Sequence, residues 1–283
     1  MDDKYIFCRL ARDPAFNNYA KINGEKNSFQ VSAPEGIWII PHTIADFVCM
    51  QCLASSLQKH HALNFLKSWR HVARPFCSVH NILLGCYPPR TDDLMHYLFQ
   101  KPSSLRTCLS ESVLRVIACT ARKIYENLIR GINSEESAIA QKRFRAFKFI
   151  LELFLYAQCD SGGIASFFMS APRARNSQWI TLGWQASFQV GPVISNALER
   201  ACALIMFHAI SSDDAETLIG PIADILPSFG YCYLLYPKSL GGLSRVVLND
   251  INPAITTKLH FYSETLNCLA YRSFLDGFCN DLH

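Results

Sequence analysis

Between Asn196 and Ile210 the chain reads Ala197-Leu198-Glu199-Arg200, then Ala201-Cys202-Ala203-Leu204-Ile205-Met206-Phe207 and Ala209-Ile210, leaving almost no polar side on a helix. A surface helix keeps a polar face, whereas one that is apolar all round has to be surrounded by other elements. This stretch therefore predicts a central helix inside a mainly α fold, and the rest of the chain supplies helices to cover it. Ser110-Glu111 opens a long amphipathic pattern through Val113, Leu114, Ile117, Ile124, Leu128 and Ile129, closed by Gly131. Asn133-Ser134-Glu135-Glu136 starts another that runs past Tyr156. Thr91-Asp92-Asp93 caps a shorter one, and Ser211-Ser212-Asp213-Asp214 caps the helix after the central one.

The organisation expected is two helical lobes preceded by a short irregular or β arm. Residues 1–40 form the arm, with Tyr5-Ile6-Phe7 and Ile37-Trp38-Ile39-Ile40 strand-like around an Asn23-Gly24 turn. Residues 41–160 form the N-lobe, starting with a helical pattern at Ile44, Phe47, Val48 and Leu53. The polar segment 161–192, with Gly162-Gly163 and Pro192, reads as a hinge, and 193–283 as a C-lobe of short helices punctuated by prolines. Charged residues make up 18% of the chain, below the roughly 25% usual for soluble domains, which favours a homo-oligomer. The longest uncharged run, Asn176 to Leu198, holds three glutamines, two glycines and a proline, so no membrane span is expected. The acidic start Met1-Asp2-Asp3 is followed by no apolar run of signal-peptide type.

The formal charge is only +4, so what matters is clustering. Lys142-Arg143-Phe144-Arg145-Ala146-Phe147-Lys148-Phe149 interleaves cations with aromatics, and Arg173 and Arg175 follow beyond the Gly-Gly turn. At 100° per residue, Lys142, Arg145 and Lys148 share one arc of a helix while Phe144, Phe147, Leu151, Phe154 and Leu155 share the opposite one. One face packs and the other meets solvent or phosphate. Two cationic elements flanking a hinge describe a cleft for single-stranded RNA, with Lys142, Arg143, Arg145, Lys148, Arg173 and Arg175 as phosphate contacts. The plainer reading of such a face is a solvated one.

Twelve cysteines are scattered through apolar runs, as in Phe47-Val48-Cys49 and Tyr231-Cys232-Tyr233. Free thiols behave there as small hydrophobes, which points to a reducing cytoplasmic or nuclear setting rather than a secreted disulfide scaffold. Cys49-Met50-Gln51-Cys52 and Cys77-Ser78-Val79-His80 are CxxC and CxxH pairs with the 2 + 2 ligand arithmetic of a zinc site. Against a metal, Cys49 and Cys52 lie in an apolar pattern without the Gly or Lys of a zinc knuckle, and twelve cysteines with nine histidines produce chance pairs. On sequence alone, buried thiols are the simpler reading of the four.

Nothing else suggests an enzyme. The chain contains no Gly-x-Ser-x-Gly elbow, no Walker sequence and no dinucleotide fingerprint, so neither catalysis nor an organic cofactor is expected. Helix capping accounts for Asp92-Asp93 and Asp213-Asp214 more simply than metal binding does. His60-His61 and His71 read as surface or core filler, and Trp38, Trp69, Trp179 and Trp184 as packing anchors.

Leu155-Tyr156-Ala157-Gln158 followed by Ile164 and Phe167-Phe168 resembles a segment of bornavirus-like nucleoproteins. So does the later series Ala223-Asp224-Ile225-Leu226-Pro227, Phe229-Gly230, a Pro-Lys-Ser turn, Phe261-Tyr262-Ser263 and Ala270-Tyr271-Arg272. The resemblance covers about a quarter of the chain. It implies two helical lobes clamping single-stranded viral RNA, with an arm engaging the neighbouring subunit, and it carries over no RNA-contacting residue. Tyr236-Pro237-Lys238-Ser239-Leu240-Gly241-Gly242-Leu243 is similar to a thumb-region turn of negative-strand viral polymerases. No Gly-Asp-Asn or Gly-Asp-Asp turn accompanies it, so the glycine pair reads as a tight turn. The leading expectation is a non-enzymatic RNA-coating protein. The alternatives are a helical viral accessory or effector protein that binds a host protein through Tyr5, Phe7 and Phe16, and a zinc-stabilised interaction module.

Overall fold

A computed structural model describes residues 7–8, 38, 40, 46–60, 64–87, 109–156, 163–167, 188, 191–192, 195–225, 235–248 and 253–279. In chain order these form strand β1 (Phe7–Cys8), strand β2 (Asp46–Val48), helix α1 (Met50–His60), strand β3 (Asn64–Phe65), a 3-10 turn (Lys67–Arg70) and strand β4 (Gly85–Tyr87). Then come helices α2 (Glu111–Asn133), α3 (Ser137–Phe154), α4 (Ile164–Phe167), α5 (Ala197–Ser211), α6 (Glu216–Ala223), α7 (Pro237–Leu248), α8 (Pro253–Tyr262) and α9 (Leu269–Cys279). The fold is mainly α with a short N-terminal arm.

Helix α5 sits where its composition demands. Every side chain from Ala197 to Phe207 is buried, and α2, α3, α4, α6, α7 and α9 all pack on it. Its start is a capping box: the Glu199 amide donates to Asn196 Oδ1 at 2.9 Å, and the Asn196 amide donates to Glu199 Oε2 at 2.8 Å. Two orphan amides are thereby satisfied and Glu199 is accommodated indoors. Helix α2 lays Ile117, Ala121, Ile124 and Tyr125 against the core, and its N-cap is Ser110, whose hydroxyl accepts from the Val113 amide. It runs through Gly131 rather than ending there, because nothing requires that glycine to leave helical geometry. On α3 the expected packing arc is buried in full. Phe147 lies 5.0 Å from Phe207 of α5 and 5.7 Å from Trp38, edge to face in both cases. Residues on both sides of the 161–192 segment contribute to one continuous core.

Three local expectations need correction. The pattern from Ile44 to Leu53 is not one helix: Asp46–Val48 pairs antiparallel with Gly85–Tyr87, and helix starts only at Met50. The β-branched and aromatic pair Phe47-Val48 suits a pleated, buried surface. Gly241-Gly242 is not a turn but the middle of α7, where the missing side chain of Gly241 lets that helix approach α9. Asp213 caps a distant helix, not the next one, since its carboxylate accepts from the Ala270 amide at 2.9 Å at the start of α9.

Small β pairings tie the N-terminal third to the helices. Phe7–Cys8 runs antiparallel to Asn64–Phe65. The Ile40 amide donates to the Arg70 carbonyl at 2.8 Å and the Val72 amide to the Trp38 carbonyl at 3.0 Å. Trp38 then reaches across to Phe144 and Phe147 of α3. No helix among the described residues is long and apolar enough to cross a membrane.

Candidate metal centre

The antiparallel pair β2–β4 places two turns beside each other. In the first, Cys49 occupies the N-cap of α1, with the Leu53 amide donating to its carbonyl at 3.0 Å, and Cys52 is the third helical residue. The Cys52 amide also donates to the Cys49 sulfur, in the manner of a capping side chain. The second turn is the tip of a tight hairpin. Phe76 bridges Leu83, the Cys77 amide donates to the Ile82 carbonyl at 2.9 Å, and the Asn81 amide returns to the Cys77 carbonyl at 3.0 Å. Asn81 adopts φ = 53°, the left-handed conformation that glycine or asparagine tolerates. That kink turns the Val79 and His80 amides onto the Cys77 sulfur.

The result is a cluster of Cys49 Sγ, Cys52 Sγ, Cys77 Sγ and one ring nitrogen of His80, all within 4.8 Å of one another. His80 Nδ1 lies 3.3 Å from Cys49 Sγ, 3.3 Å from Cys52 Sγ and 3.6 Å from Cys77 Sγ, and Cys52 and Cys77 sulfurs are 3.6 Å apart. Zinc bonds of about 2.3 Å to sulfur and about 2.05 Å to nitrogen, set tetrahedrally, require ligand separations of about 3.8 Å between sulfurs and about 3.5 Å from sulfur to nitrogen. The observed edges match one metal atom. A two-iron cluster divides its ligands between two metals and needs a wider spread.

Electrostatics favour a cation in the middle. Hydrogen bonds from Cys49 and Cys52 pull the Cys77 thiol down to about 2, against burial and with help from the His80 and Val79 amides. The same contacts and burial push Cys52 far above the ordinary thiol range. Cys49 rises to about 11: its bond with Cys52 lowers it, but the bond with Cys77 and burial outweigh that. Three sulfurs this close oppose one another's ionisation, and a dication lets all three ionise. The N-terminus of α1 and the knuckle amides contribute further positive potential.

Two arginines hold the site in place, and sequence reading singled out neither. Arg122 of α2 donates to the Ser78 carbonyl at 3.1 Å, between the two ligands of the hairpin tip, while its Nε meets Glu126 at 3.7 Å. Arg200, fully buried in α5, lays its guanidinium 4.0 Å from the centre of the Phe47 ring and donates to the His71 carbonyl at 3.3 Å. Phe47 precedes Cys49 by two positions, so the metal-bearing segment is anchored to the central helix. Asn81, directly after the second ligand pair, was the sequence signal for a knuckle. Asparagine there serves where glycine is usual.

Four of the six cations expected to line a cleft are among the described residues. Lys142 and Arg145 are exposed on α3, Arg143 pairs with Glu135, and Lys148 pairs with Glu152 at 3.8 Å. Acids one or two turns away, outside the run Gln141–Phe149, reach into it. Lys258 of α8 stands 5.5 Å over the Phe149 ring on the same side. Arg173, Arg175, Trp179, Trp184 and Asp92-Asp93 lie outside the described residues, as do Tyr5 and Phe16, and Phe7 is paired through its backbone with Phe65. Cys119, Cys202, Cys268 and Cys279 are unbridged, like the three of the cluster.

No family model matches this chain, nor does any curated protein or solved structure.

Proposed function

We propose that this protein is a non-enzymatic, zinc-stabilised helical interaction module in which Cys49, Cys52, Cys77 and His80 hold one structural zinc ion. The observation that carries this reading is the closure of four soft ligand atoms within 4.8 Å. Four protein ligands complete a tetrahedron and leave no position for water or substrate, which is the pattern of structural rather than catalytic zinc. The ion joins the start of α1 to the hairpin at residues 76–83, both of which also pack on the core through Leu53, Phe76 and Leu83. Metal affinity adds to that packing. The test is metal content of the purified chain together with the absorption of its cobalt form. One equivalent of zinc, and a cobalt spectrum with tetrahedral d–d bands and thiolate charge transfer, is the expected result. Less than a tenth of an equivalent after reconstitution refutes it.

A second reading, single-stranded RNA binding along α3, draws on the exposed pair Lys142 and Arg145, extended by Lys258 toward the exposed ring of Phe261. Phosphate contacts there are sequence-independent and screened by salt. Replacing Lys142 and Arg145 by Ala then weakens binding to every RNA sequence and lowers the salt slope by about 0.7 per contact. Equal affinity in the double variant excludes the reading. A high 260/280 nm absorbance ratio on nuclease-sensitive oligomers supports assembly on RNA.

A further inference from the structure

The three cysteines of the cluster differ in exposure. Cys49 and Cys77 are buried, while Cys52, on the first turn of α1, is half-buried. Its sulfur is 3.6 Å from that of Cys77, so closing to a disulfide length of about 2.05 Å needs a shift of about 1.5 Å, which side-chain rotation can supply. Bound to zinc both sulfurs are thiolates, and two thiolates in contact, one of them on a half-buried residue, form the arrangement of a redox-sensitive pair.

We propose that Cys52 is a site of oxidative modification by peroxide, with Cys77 as its resolving cysteine, and that formation of the Cys52–Cys77 disulfide ejects the zinc ion. Both the oxidation, which starts from zinc-bound thiolates, and the release of zinc rest on the metal reading above. The Cys52 thiolate attacks one peroxide oxygen, the O–O bond breaks, and the departing hydroxide takes up a proton to become water, leaving a sulfenic acid. The Cys77 thiolate then attacks the Cys52 sulfur, the S–S bond forms, the S–O bond breaks, and a second hydroxide leaves as water. Two thiolates, one peroxide and two protons become one disulfide and two waters, with two electrons passing from sulfur to oxygen. Cys49 and His80 remain, two ligands where the ion needs four.

The experiment uses the full chain, reconstituted with zinc and with the exposed Cys279 changed to Ser so that it does not compete. Hydrogen peroxide is added at one equivalent, released zinc is read with a chromogenic chelator, and disulfides are mapped by mass spectrometry without reduction. The expected result is one zinc released per Cys52–Cys77 disulfide, reversed by dithiothreitol and added zinc. In Cys77→Ser, Cys52 stops at a sulfenic acid that a dimedone probe traps. A disulfide joining other cysteines, or zinc retained with Cys52 unmodified, overturns the proposal. Should Cys77→Ser not fold, the map of the parent chain still decides. Zinc uptake is measured before peroxide is added: a chain that takes up none fails the metal reading, whereas one that holds zinc and keeps Cys52 unmodified fails this proposal alone.

Discussion

Glycine-to-alanine substitutions at the α7–α9 contact and on α2 should have opposite signs, and the reason is the space each added Cβ would meet. A Cβ added at Gly277 would lie 1.9 Å from the Lys238 carbonyl oxygen, and one added at Gly241 would lie 2.1 Å from the Phe274 carbonyl oxygen. Both obstacles are backbone, which cannot swing aside as a side chain does. Ordinary contact begins near 3.4 Å, so the helices must part by about 1.5 Å at Gly277 and about 1.3 Å at Gly241. A radial gap of that size forfeits a quarter to a half or more of the dispersion energy across the interface, and overpacking costs about 1–3 kcal/mol. Backbone-on-backbone clashes belong at the upper end of that range. Alanine's better helix propensity returns about 1 kcal/mol, leaving a net loss of about 2 kcal/mol at each site. Gly131 is the control: nothing lies within 4 Å of its added Cβ, so Gly131→Ala keeps only the propensity gain and stabilises by about 0.5–1 kcal/mol. Urea denaturation of the zinc-loaded chain measures all three, read as midpoint shifts at constant slope. The double variant Gly241→Ala/Gly277→Ala should cost less than the sum, because one displacement relieves both clashes. If Gly241→Ala and Gly277→Ala match or exceed the parent in stability, the close packing of α7 on α9 is wrong.

Removing zinc from the purified chain with a chelator should lower the melting temperature and raise protease cleavage in residues 46–87 before α2 or α5 is cut; uniform cleavage along the chain refutes a local staple. Glu152 is raised to about 7 by burial, against the pull of Lys148 and Lys258. A raised acid favours the folded state below about pH 4.5 and loses that contribution as pH climbs through 7, so Glu152→Gln should stabilise by about 3 kcal/mol at pH 8 and by little at pH 4. His71 shifts the other way, down to about 3, through burial and then the charges of Arg74 and Arg200. Its neutral ring costs nothing above pH 6.5, and stability falls as pH drops from there toward 3, by a ceiling of about 5 kcal/mol; a His71→Gln chain whose stability falls as steeply over that range refutes the assignment. Truncating the buried Arg200 to Ala leaves the His71 carbonyl and the Phe47 ring without the guanidinium, and should cost about 3 kcal/mol and speed zinc loss to a chelator; an unchanged zinc off-rate separates the anchor from the metal.

How far the sequence could be read follows from which interactions are local. Helix α5 was legible because a run without a polar face has one solution, and α2 because Ser110 and the periodic stripe act within a few residues of each other. The packing arc of α3 was legible for the same reason, but the partners of its cations were not, since Glu135 and Glu152 sit outside the run that carries the charge. Gly241-Gly242 misled because glycine serves two opposite purposes, a turn or a close helix approach, and only the position of α9 decides between them. The metal ligands show the same limit in sharper form. A CxxC pair in an apolar pattern is indistinguishable from buried thiols until strand β2 breaks the helix before Cys49 and puts that residue at an N-terminus. The pairing of β2 with β4 does this from nearly forty residues away, and it also brings the hairpin of Cys77 and His80 alongside. Asn81, with its left-handed backbone, was the one local hint, and it gains meaning only when read together with the two residues of the CxxH pair before it. The centre is thus specified by strand register and a single kink as much as by its CxxC and CxxH pairs, which is why a substitution at Asn81, next to His80, bears on the hairpin that carries Cys77 and His80. Asn81→Gly should preserve zinc affinity, whereas Asn81→Val, β-branched and strained at φ = 53°, should weaken it by tenfold or more, about 1.4 kcal/mol; equal affinities for the two variants, read by competition with a chelator, refute the role of the kink.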